Sequence, residues 1–360
     1  MWENLNITLN KADQSQLKDK PPQDRLGFGV YFSDHMFLMK WNQEKGWHEA
    51  EICPYQQFQM DPAAMVYHYG QAIFEGLKAY RGNGGQIYLF RPQDNLKRMS
   101  GSALRMCMPR LPEEKVLQAL KSLVYLERDW IPESEGATLY IRPTMIAVEP
   151  ALGVRPSSEY YFYIILSPVG AYYPEGFSPT KIYVTDKYVR AVKGGIGHVK
   201  AAGNYAASIM AAREAMKEGY TQVLWLDACE RKYVEEVGTS NIFFLMGDEL
   251  ITPPLGGSIL AGITRHSTIQ LAESWGVRIV ERQIAIDEVV AACEDGSLKE
   301  AFGTGTAAVI SPVGELCYKG KQYMIGDGTT GELSKRLFDD LQGIQYGQKE
   351  DPFGWVTKVG

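Results

Sequence analysis

One lysine of this chain stands in surroundings that are unusual for a surface cation. Lys200 lies in the segment 194–205, GGIGHVKAAGNY, where most of its neighbours are glycines or other small residues. A surface lysine usually has polar neighbours, whereas small neighbours let a flat molecule come close to the side-chain amine. An amine in such a place can act as a covalent nucleophile toward a carbonyl group.

Two further residues add a phenol and an acid to this amine. Tyr205 follows Lys200 closely, and Glu236 lies just before the strand-like run Ile242–Leu245. These are the groups that hold pyridoxal phosphate: the amine forms an imine, the phenol bonds the ring oxygen, and the acid keeps the pyridine nitrogen protonated. Each residue also has an ordinary interpretation, because Tyr205 begins an apolar helical run and Glu236 could be a surface acid. The hypothesis therefore depends on their occurring together.

Three places could receive the phosphate of such a cofactor. The segment Gly262–Arg265 opens a predicted helix, where unpaired N–H groups and the helix dipole favour an anion. The segment Gly303–Thr306 offers backbone and hydroxyl donors, although a strand follows it and it is no dinucleotide fingerprint. Arg98 could supply a fixed positive charge. The alternatives are N-capping by Thr264 and a solvated helical arginine.

The first half of the chain supplies residues suited to a substrate pocket. Aromatic residues accompany arginine or glycine in the segments Tyr67–Gly70, Phe74–Gly82 and Tyr140–Pro143. Aromatic rings beside an arginine can grip a carboxylate and still offer an apolar wall. The alternative is a sheet core with tyrosine hydroxyls at its edge.

Composition excludes several functional classes. A formal net charge of -6 argues against a general nucleic-acid binder, and no apolar run approaches a membrane span. The five histidines are dispersed, so no metal site is expected. The five cysteines are also dispersed and the N-terminus has no secretory pattern, so a cytoplasmic location is expected.

The candidate residues must be positioned by secondary-structure elements. The length of 360 residues and the pattern of these elements predict two domains. A connector rich in proline and glycine, residues 172–180, separates a smaller N-terminal α/β domain, 1–171, from a larger C-terminal domain, 181–360, that carries the lysine. The fold class is mixed α/β and α+β. Residues 1–25 are expected to form a loose arm. Apolar periodicity predicts the following further elements: strands at 30–32, 36–40, 137–148, 160–166, 182–185, 222–227, 242–246, 277–281 and 307–312, and helices at 92–108, 113–129, 205–218, 264–275, 287–293 and 331–341.

With these residues assembled, the chain resembles the branched-chain amino-acid aminotransferases, which have the two-domain architecture of fold-type IV pyridoxal-phosphate enzymes. The resemblance covers nearly the whole length of the chain. The motifs occur in the same order as in the family. The matching segments are Phe74–Gly82, Tyr140–Arg142, Glu149–Val154, Lys200–Tyr205, Gln222–Leu226, Glu236–Asn241, Gly262–Arg265, Phe302–Thr306 and Ile344–Gly347. The resemblance implies reversible transamination of leucine, isoleucine and valine with 2-oxoglutarate, giving branched-chain 2-oxo acids and glutamate.

The resemblance also implies roles for individual residues. Lys200 would be the Schiff-base lysine and proton shuttle, Tyr205 would contact the ring oxygen, and Glu236 the pyridine nitrogen. Arg142 would engage the side-chain carboxylate of glutamate. The phosphate would be held by Arg98, the backbone of Ile263 and Thr264, and Thr306. The substrate pocket would be lined by Phe28, Tyr69, Phe74, Tyr140, Tyr172, Thr239 and Ala307. Leu152 and Val154 belong to a loop that reaches the neighbouring subunit in the family, which implies a homodimer.

One departure from the family and several rival interpretations are visible in the sequence. Some animal members carry a redox CxxC pair where this chain has Ala308 and Ser311, so that thiol switch should be absent. The nearest rivals are a D-amino-acid aminotransferase and an aminodeoxychorismate lyase, against which the segments Tyr140–Arg142 and Phe74–Lys78 argue. A nucleotide-dependent dehydrogenase would need a glycine fingerprint after a strand. A non-catalytic binding protein would lack the lysine.

Overall fold

The structure is a computed structural model that describes residues 5–171 and 177–360. Strands and helices alternate along the chain, with short 3₁₀ turns at Gln14–Gln16, Gln23–Arg25, Asn83–Gly85 and Arg128–Trp130. The elements in chain order are β1 (Ile7–Leu9), β2 (His35–Asn42), β3 (Gly46–Pro54), α1 (Met65–Tyr69), β4 (Ala72–Phe74), β5 (Leu77–Arg81), β6 (Ile87–Phe90), α2 (Pro92–Arg105), α3 (Glu113–Leu126), β7 (Thr138–Ala147), β8 (Glu159–Val169), β9 (Thr180–Val184), α4 (Ala202–Lys217), β10 (Gln222–Leu226), β11 (Val234–Val237), β12 (Ser240–Met246), β13 (Glu249–Thr252), α5 (Ile263–Ser274), β14 (Arg278–Glu281), α6 (Ile286–Glu294), β15 (Leu298–Gly305), β16 (Val309–Tyr318), β17 (Lys321–Met324), α7 (Glu332–Gln345) and β18 (Val356–Val359). Within the described ranges, none of the helices combines the length and apolar character that crossing a bilayer requires.

The chain divides into two compact units whose segments interleave in sequence. Of the described residues, 5–171, 199–203 and 343–360 belong to unit 1, and 177–198 and 204–342 belong to unit 2. The sequence-based division put 199–203 and 343–360 in the C-terminal domain. They belong to unit 1 because the Phe74 N–H donates to the Lys200 carbonyl over 3.1 Å and β18 pairs with β6. The predicted connector, 172–180, lies partly outside the described residues.

Unit 1 is built around a mixed sheet with the strand order β1-β3-β2-β8-β7-β5-β6-β18, and β4 pairs with β7. From Leu139 to Met145 the residues of β7 alternate between buried and partly exposed, as expected for a strand with one face against a core. Helix α3 follows Pro112, has two glutamates in its first turn and buries one stripe of apolar residues. The buried stripe consists of Val116, Ala119, Leu120, Leu123 and Val124.

Unit 2 contains a second sheet, with the order β11-β10-β9-β16-β15-β12-β13-β14, and β17 pairs with β16. Strand β11 also pairs with β12, so that β11, β10, β9, β16, β15 and β12 close into a ring. The β11–β12 hairpin turns at Gly238, whose φ of +55° favours glycine. A Cβ at Gly238 would also lie 2.2 Å from Gln222 Oε1. The turn therefore fixes the register that pairs Glu236 with Asn241.

Most predicted elements are confirmed to within a few residues, and two expectations for the N-terminal region are wrong. Residues 30–32 form no strand, and the strand that follows is β2. The expected loose arm contains β1, which pairs in parallel with β3 from Ile7 to Leu9. Just after β1, the Ala12 N–H donates to His35 Nε2 over 2.9 Å. This bond also ties the N-terminal segment to the start of β2. The mixed α/β fold class agrees with the structure.

Candidate active site

Lys200 is positioned by its backbone within unit 1. Its carbonyl accepts from the Phe74 N–H over 3.1 Å, and its own N–H donates to Ser102 Oγ over 3.1 Å. The next residue, Ala201, forms an isolated antiparallel bridge with Ile73. The short strand β4 and helix α2 therefore fix the residue from two sides, and its Nζ lies 4.8 Å from the centre of the Phe74 ring.

A buried ion pair lies beside Lys200. Glu75 is completely buried and binds Arg98 through two bonds, from Nε to Oε1 at 2.7 Å and from Nη2 to Oε2 at 2.8 Å. Asn95 Nδ2 also donates to Glu75 Oε2 over 2.9 Å. The sequence predicted Arg98 as a phosphate ligand, which stays a prediction. The structure adds a second role, because the guanidinium neutralises a buried carboxylate.

The burial of Lys200 favours its neutral amine more than water does. Burial lowers the pKa of Lys200 from its usual value, the Glu75 carboxylate opposes that shift, and the Arg98 guanidinium adds to it. For Glu75, burial raises the pKa, but the charge and hydrogen bonds of Arg98 outweigh burial and hold the pKa below its usual value. The Lys200 amine therefore lies beside a carboxylate whose charge is already balanced by Arg98. Such an amine suits the role of a nucleophile or a proton acceptor.

Arg142 lies against aromatic rings, as the sequence led us to expect. Its guanidinium carbon is 4.6 Å from the centre of the Phe74 ring and 5.3 Å from that of Tyr140. Its Nη2 donates to the Tyr140 hydroxyl over 3.2 Å, whereas its Nε has no hydrogen-bond partner among the described residues. Phe28 packs edge-on against Tyr140 with ring centres 5.0 Å apart. An arginine held by aromatic rings and one hydroxyl still has N–H donors on its terminal nitrogens, which suit a carboxylate.

A separate part of unit 1 presents apolar side chains to the surface. Leu152 and Val154 are 66% and 86% exposed. The loop that carries them is anchored because the Tyr69 hydroxyl donates to the Leu152 carbonyl. Two large apolar side chains are thus exposed on one anchored loop.

In unit 2, the carboxylate of Glu236 is held by three groups. Its Oε1 accepts from the Leu260 N–H at 2.9 Å and from Asn241 Nδ2 at 3.3 Å. Its Oε2 lies 2.9 Å from Arg190 Nε in an ion pair buried on both sides. The alternative interpretation of Glu236 as a surface acid is therefore wrong, because the residue is 3% exposed. Such a fixed carboxylate can partner a protonated ring nitrogen.

The start of helix α5 provides donors for an anion. Gly262 is its N-cap residue and no side chain caps the helix, so capping by Thr264 is wrong as an alternative. The N–H groups of Ile263 and Thr264 are in the first turn, where a helix supplies no acceptor. A Cβ on Gly262 would lie 2.0 Å from Asn241 Oδ1, so only glycine fits beside the amide that also contacts Glu236.

The remaining predicted residues lie on several elements. Tyr205 is on α4, and Thr306 and Ala307 lie between β15 and β16, all partly buried. Thr239 follows the hairpin glycine and is exposed. Tyr172 lies outside the described residues.

Sequence reasoning missed the buried partners of these groups. It did not assign roles to Glu75, Asn95, Ser102 or Arg190, although each contacts a predicted residue or its backbone. Glu75 carried a usable signal, because an acid between Phe74 and Gly76 interrupts an apolar segment. Arg190 carried none, since nothing in a single sequence links it to Glu236.

The chain is similar to proteins of known activity over nearly its whole length. A family model described as amino-transferase class IV matches residues 72–316. The chain is 55% identical over 352 residues to branched-chain-amino-acid aminotransferase 2 of Bacillus subtilis (strain 168), a match that covers 98% of this chain and 97% of that protein.

Solved structures show the same architecture. The structure of the T.th. branched-chain amino acid aminotransferase with pyridoxamine 5'-phosphate matches with a TM-score of 0.74 and 26% identity, covering 89% of this chain and 98% of that chain. The structure of the same protein complexed with N-(5'-phosphopyridoxyl)-L-glutamate matches with a TM-score of 0.71 and 26% identity, with the same coverage of 89% and 98%.

Proposed function

The chain belongs to the branched-chain-amino-acid aminotransferases of the class IV family, with their fold-type IV architecture, and we propose that it transfers amino groups reversibly between leucine, isoleucine or valine and 2-oxoglutarate. The products are branched-chain 2-oxo acids and glutamate. The observation that carries this proposal is the grouping of the Lys200 amine and the Arg142 guanidinium on the ring of Phe74. It combines a nucleophilic amine, an apolar wall and a donor for a second carboxylate.

The residues present fit pyridoxal 5'-phosphate as the cofactor. The fit rests on an amine whose pKa is lowered by burial, a carboxylate fixed by Arg190 and Asn241, and a helix start that is not capped by a side chain. When bound, this cofactor supplies an electron sink for the carbanion left by removal of the α-proton. The residues that would hold it are Lys200, Tyr205, Glu236, Arg98, Ile263, Thr264 and Thr306.

Lys200 would carry both covalent attachment and proton transfer. Its Nζ would bind the cofactor in the resting enzyme and, once displaced by the substrate, accept the α-proton of the amino acid. Burial lowers the pKa of Lys200, so the neutral amine required for both tasks is more abundant than for a solvated lysine. Phe74 and Ser102 orient the backbone and so limit where Nζ can reach.

Two unlike side chains would share the aromatic pocket. Phe28, Phe74 and Tyr140 would pack against a branched aliphatic chain, and Arg142 would bind the distal carboxylate of glutamate. When the aliphatic substrate is bound, the Arg142 guanidinium would keep its hydrogen bond to the Tyr140 hydroxyl. This bond compensates part of the cost of placing the charge against an apolar chain. The glutamate conjugate bound to the T.th. enzyme supports glutamate as the second substrate. Tyr172, Thr239 and Ala307 are proposed to complete the pocket.

The active form is proposed to be a homodimer. The support is the exposed apolar pair Leu152 and Val154 on a loop anchored by Tyr69. Sedimentation at working concentration should give twice the monomer mass, and the double change of Leu152 and Val154 to serine should shift the enzyme toward monomer. An active monomer would contradict this proposal. The absence of nucleic-acid partners and the cytoplasmic location stay predictions.

A direct assay separates the proposed reaction from its rivals. Purified protein with added cofactor should convert L-leucine and 2-oxoglutarate into 4-methyl-2-oxopentanoate and L-glutamate, with D-alanine and D-glutamate as negative substrates. Isoleucine and valine are tested in parallel. Production of D-glutamate would favour a D-amino-acid aminotransferase. Release of pyruvate from 4-amino-4-deoxychorismate without turnover of leucine would favour the lyase.

A further inference from the structure

Gly76 occupies a position in unit 1 where the fold leaves no room for a side chain. Apart from its chain neighbours, the three heavy atoms nearest to a Cβ placed on it all belong to Tyr140, with Oη at 2.0 Å, Cζ at 2.9 Å and Cε1 at 3.6 Å. Non-bonded contacts are most favourable at about 3.5–4.0 Å, so even an alanine would overlap the phenol of Tyr140. The proposed transamination assigns no role to Gly76.

The register of the sheet explains this overlap. Strands β4 and β5 pair with β7 in one continuous register, which places Gly76 opposite Arg142. Residues that lie opposite each other, or two apart on one strand, share a face of the sheet, so a side chain at position 76 would point to the face that carries Arg142 and Tyr140. The Tyr140 hydroxyl reaches across this face toward Gly76 and accepts from Arg142 Nη2 over 3.2 Å. The missing side chain of Gly76 therefore makes room for the contact between hydroxyl and guanidinium.

The backbone of Gly76 is held in place. Its N–H donates to Glu75 Oε2 over 3.2 Å, and its carbonyl accepts from Asn95 Nδ2 over 3.4 Å. The Glu75 N–H donates to the Pro143 carbonyl over 2.8 Å, which ties the segment to β7, and Glu75 is completely buried. A methyl group at position 76 would therefore displace the side chain of Tyr140 rather than the backbone.

Displacement of the Tyr140 phenol would change its other contacts. Phe28 packs edge-on against the ring with ring centres 5.0 Å apart, and the Arg142 guanidinium carbon lies 5.3 Å from the ring centre. To increase the distance between Oη and the new methyl group from 2.0 Å to about 3.5 Å, the phenol must move by about 1.5 Å. The hydrogen bond from Arg142 is already 3.2 Å long, near the upper limit for such bonds, so we expect this shift to break it.

We propose that Gly76 is a positioning residue for substrate specificity: it leaves space for the Tyr140 hydroxyl, and the hydroxyl in turn holds the Arg142 guanidinium where it can bind a distal carboxylate. This inference rests on the proposed function, in which Arg142 binds the side-chain carboxylate of glutamate. A branched aliphatic chain needs only apolar contact, which is non-directional and depends far less on the place of one hydroxyl. Loss of the space at Gly76 should therefore affect dicarboxylates most.

Two unreactive probes measure this selectivity without turnover. Glutarate is glutamate without its amino group, and 4-methylpentanoate is leucine without its amino group, so both keep one carboxylate and differ at the distal end. Calorimetric titration of the purified protein with its cofactor gives a dissociation constant for each probe. Gly76→Ala should weaken glutarate binding tenfold or more, because a charge-assisted bond is lost, and should weaken 4-methylpentanoate binding less than about threefold.

Two further variants show whether the effect passes through the Tyr140 hydroxyl. Gly101→Ala is the matched control, because Gly101 is exposed on α2 and a Cβ there has nothing within 4 Å, so both dissociation constants should stay within about twofold. Tyr140→Phe removes the hydroxyl and should itself weaken glutarate binding. Adding Gly76→Ala to Tyr140→Phe should cost less than Gly76→Ala costs alone, because the bond to Arg142 is already absent and the nearest remaining atom is Cζ at 2.9 Å.

The outcomes decide the proposal. Selective loss of glutarate binding in Gly76→Ala, with a smaller cost of the same change in Tyr140→Phe and no effect of Gly101→Ala, supports it. Unchanged glutarate binding by Gly76→Ala, or equal weakening of both probes, would overturn it and leave the proposed function standing. If Gly76→Ala does not fold by circular dichroism, the double variant decides: folding restored by Tyr140→Phe supports the proposal, and failure to fold overturns it. If the natural protein binds neither probe, the proposed function fails together with this inference.

Discussion

Replacing Glu75 by glutamine tests whether the buried pair with Arg98 holds unit 1 together. The substitution keeps the shape of the side chain and removes one negative charge from a completely buried position. Arg98, whose side chain is 14% exposed, then keeps its charge without the carboxylate that now contacts it at 2.7 and 2.8 Å. We therefore expect a loss of stability rather than a local adjustment.

The magnitude follows from the burial of the pair. Removing one partner of a buried ion pair costs about 3–5 kcal/mol, because the other charge stays uncompensated in a medium of low polarity. For a unit of this size, each kcal/mol lowers the melting temperature by about 2–4 °C, so Glu75→Gln should lower it by about 6–20 °C. The amide can still accept from Asn95, which places the result toward the lower end.

The effect should depend on pH in a defined direction. The folded-state pKa of Glu75 is lowered, so its contribution to stability is fully present above the unfolded pKa of about 4.3 and is lost as pH falls through the lower folded value. The difference in melting temperature between the natural protein and Glu75→Gln should be constant near neutral pH and shrink below about pH 4.

Scanning calorimetry on both proteins, with Glu44→Gln as the matched control, measures this difference. Glu44 is exposed in the turn between β2 and β3, so the same change of charge there should shift the melting temperature by less than about 2 °C. A shift of Glu75→Gln no larger than that of the control would refute the stabilising role of the pair. A difference that grows on acidification would refute the assigned sign.

Three further substitutions test other contacts. Arg142→Leu should slow the half-reaction with glutamate tenfold or more relative to that with leucine, because a charge-assisted bond worth about 1.5–3 kcal/mol is lost. Rapid-mixing absorbance measures both half-reactions. Equal losses in the two would mean that Arg142 has a structural role. Arg190→Met leaves a buried carboxylate unpaired, so calorimetry should show a destabilisation of about 3–5 kcal/mol, and an unchanged melting profile would contradict the ion pair. Gly262→Ala forces a Cβ to within 2.0 Å of Asn241 Oδ1 and should weaken cofactor binding about tenfold in a titration, whereas Gly203→Ala, with nothing within 4 Å, should not.

Local features of the sequence were sufficient to predict many elements. Helix α3 is marked by Pro112, by acids in the first turn and by a regular apolar stripe, and each of these signals acts within a few residues. Strand β3 was missed because its sequence, GWHEAEICP, mixes charged and apolar residues without clear alternation. It is a strand because it pairs with β2 on one side and with β1 on the other.

Some residues of the candidate site also have local signals in the sequence, whereas others have none. Local signals point to Lys200, through its small neighbours, and to Arg142, through the aromatic residues near it, and their roles stay predictions. The pairing of Glu75 with Arg98 spans 23 positions, and the contacts of Glu236 with Arg190 and Leu260 join separate segments. Such contacts are set by the packing of elements against one another, for which a single sequence carries no local signal.

The assignment of Lys200 as the covalent residue can be tested by finding which lysine carries the cofactor. Lys78 is a credible rival within unit 1, since it is buried and burial lowers its pKa to about 8. The protein with its cofactor is reduced with borohydride, digested, and mapped by mass spectrometry, with Lys200→Ala and Lys78→Arg in parallel. We predict a pyridoxyl group on Lys200 alone, retained in Lys78→Arg and lost in Lys200→Ala together with transamination. A pyridoxyl group on Lys78, or normal turnover by Lys200→Ala, would contradict the assignment of Lys200.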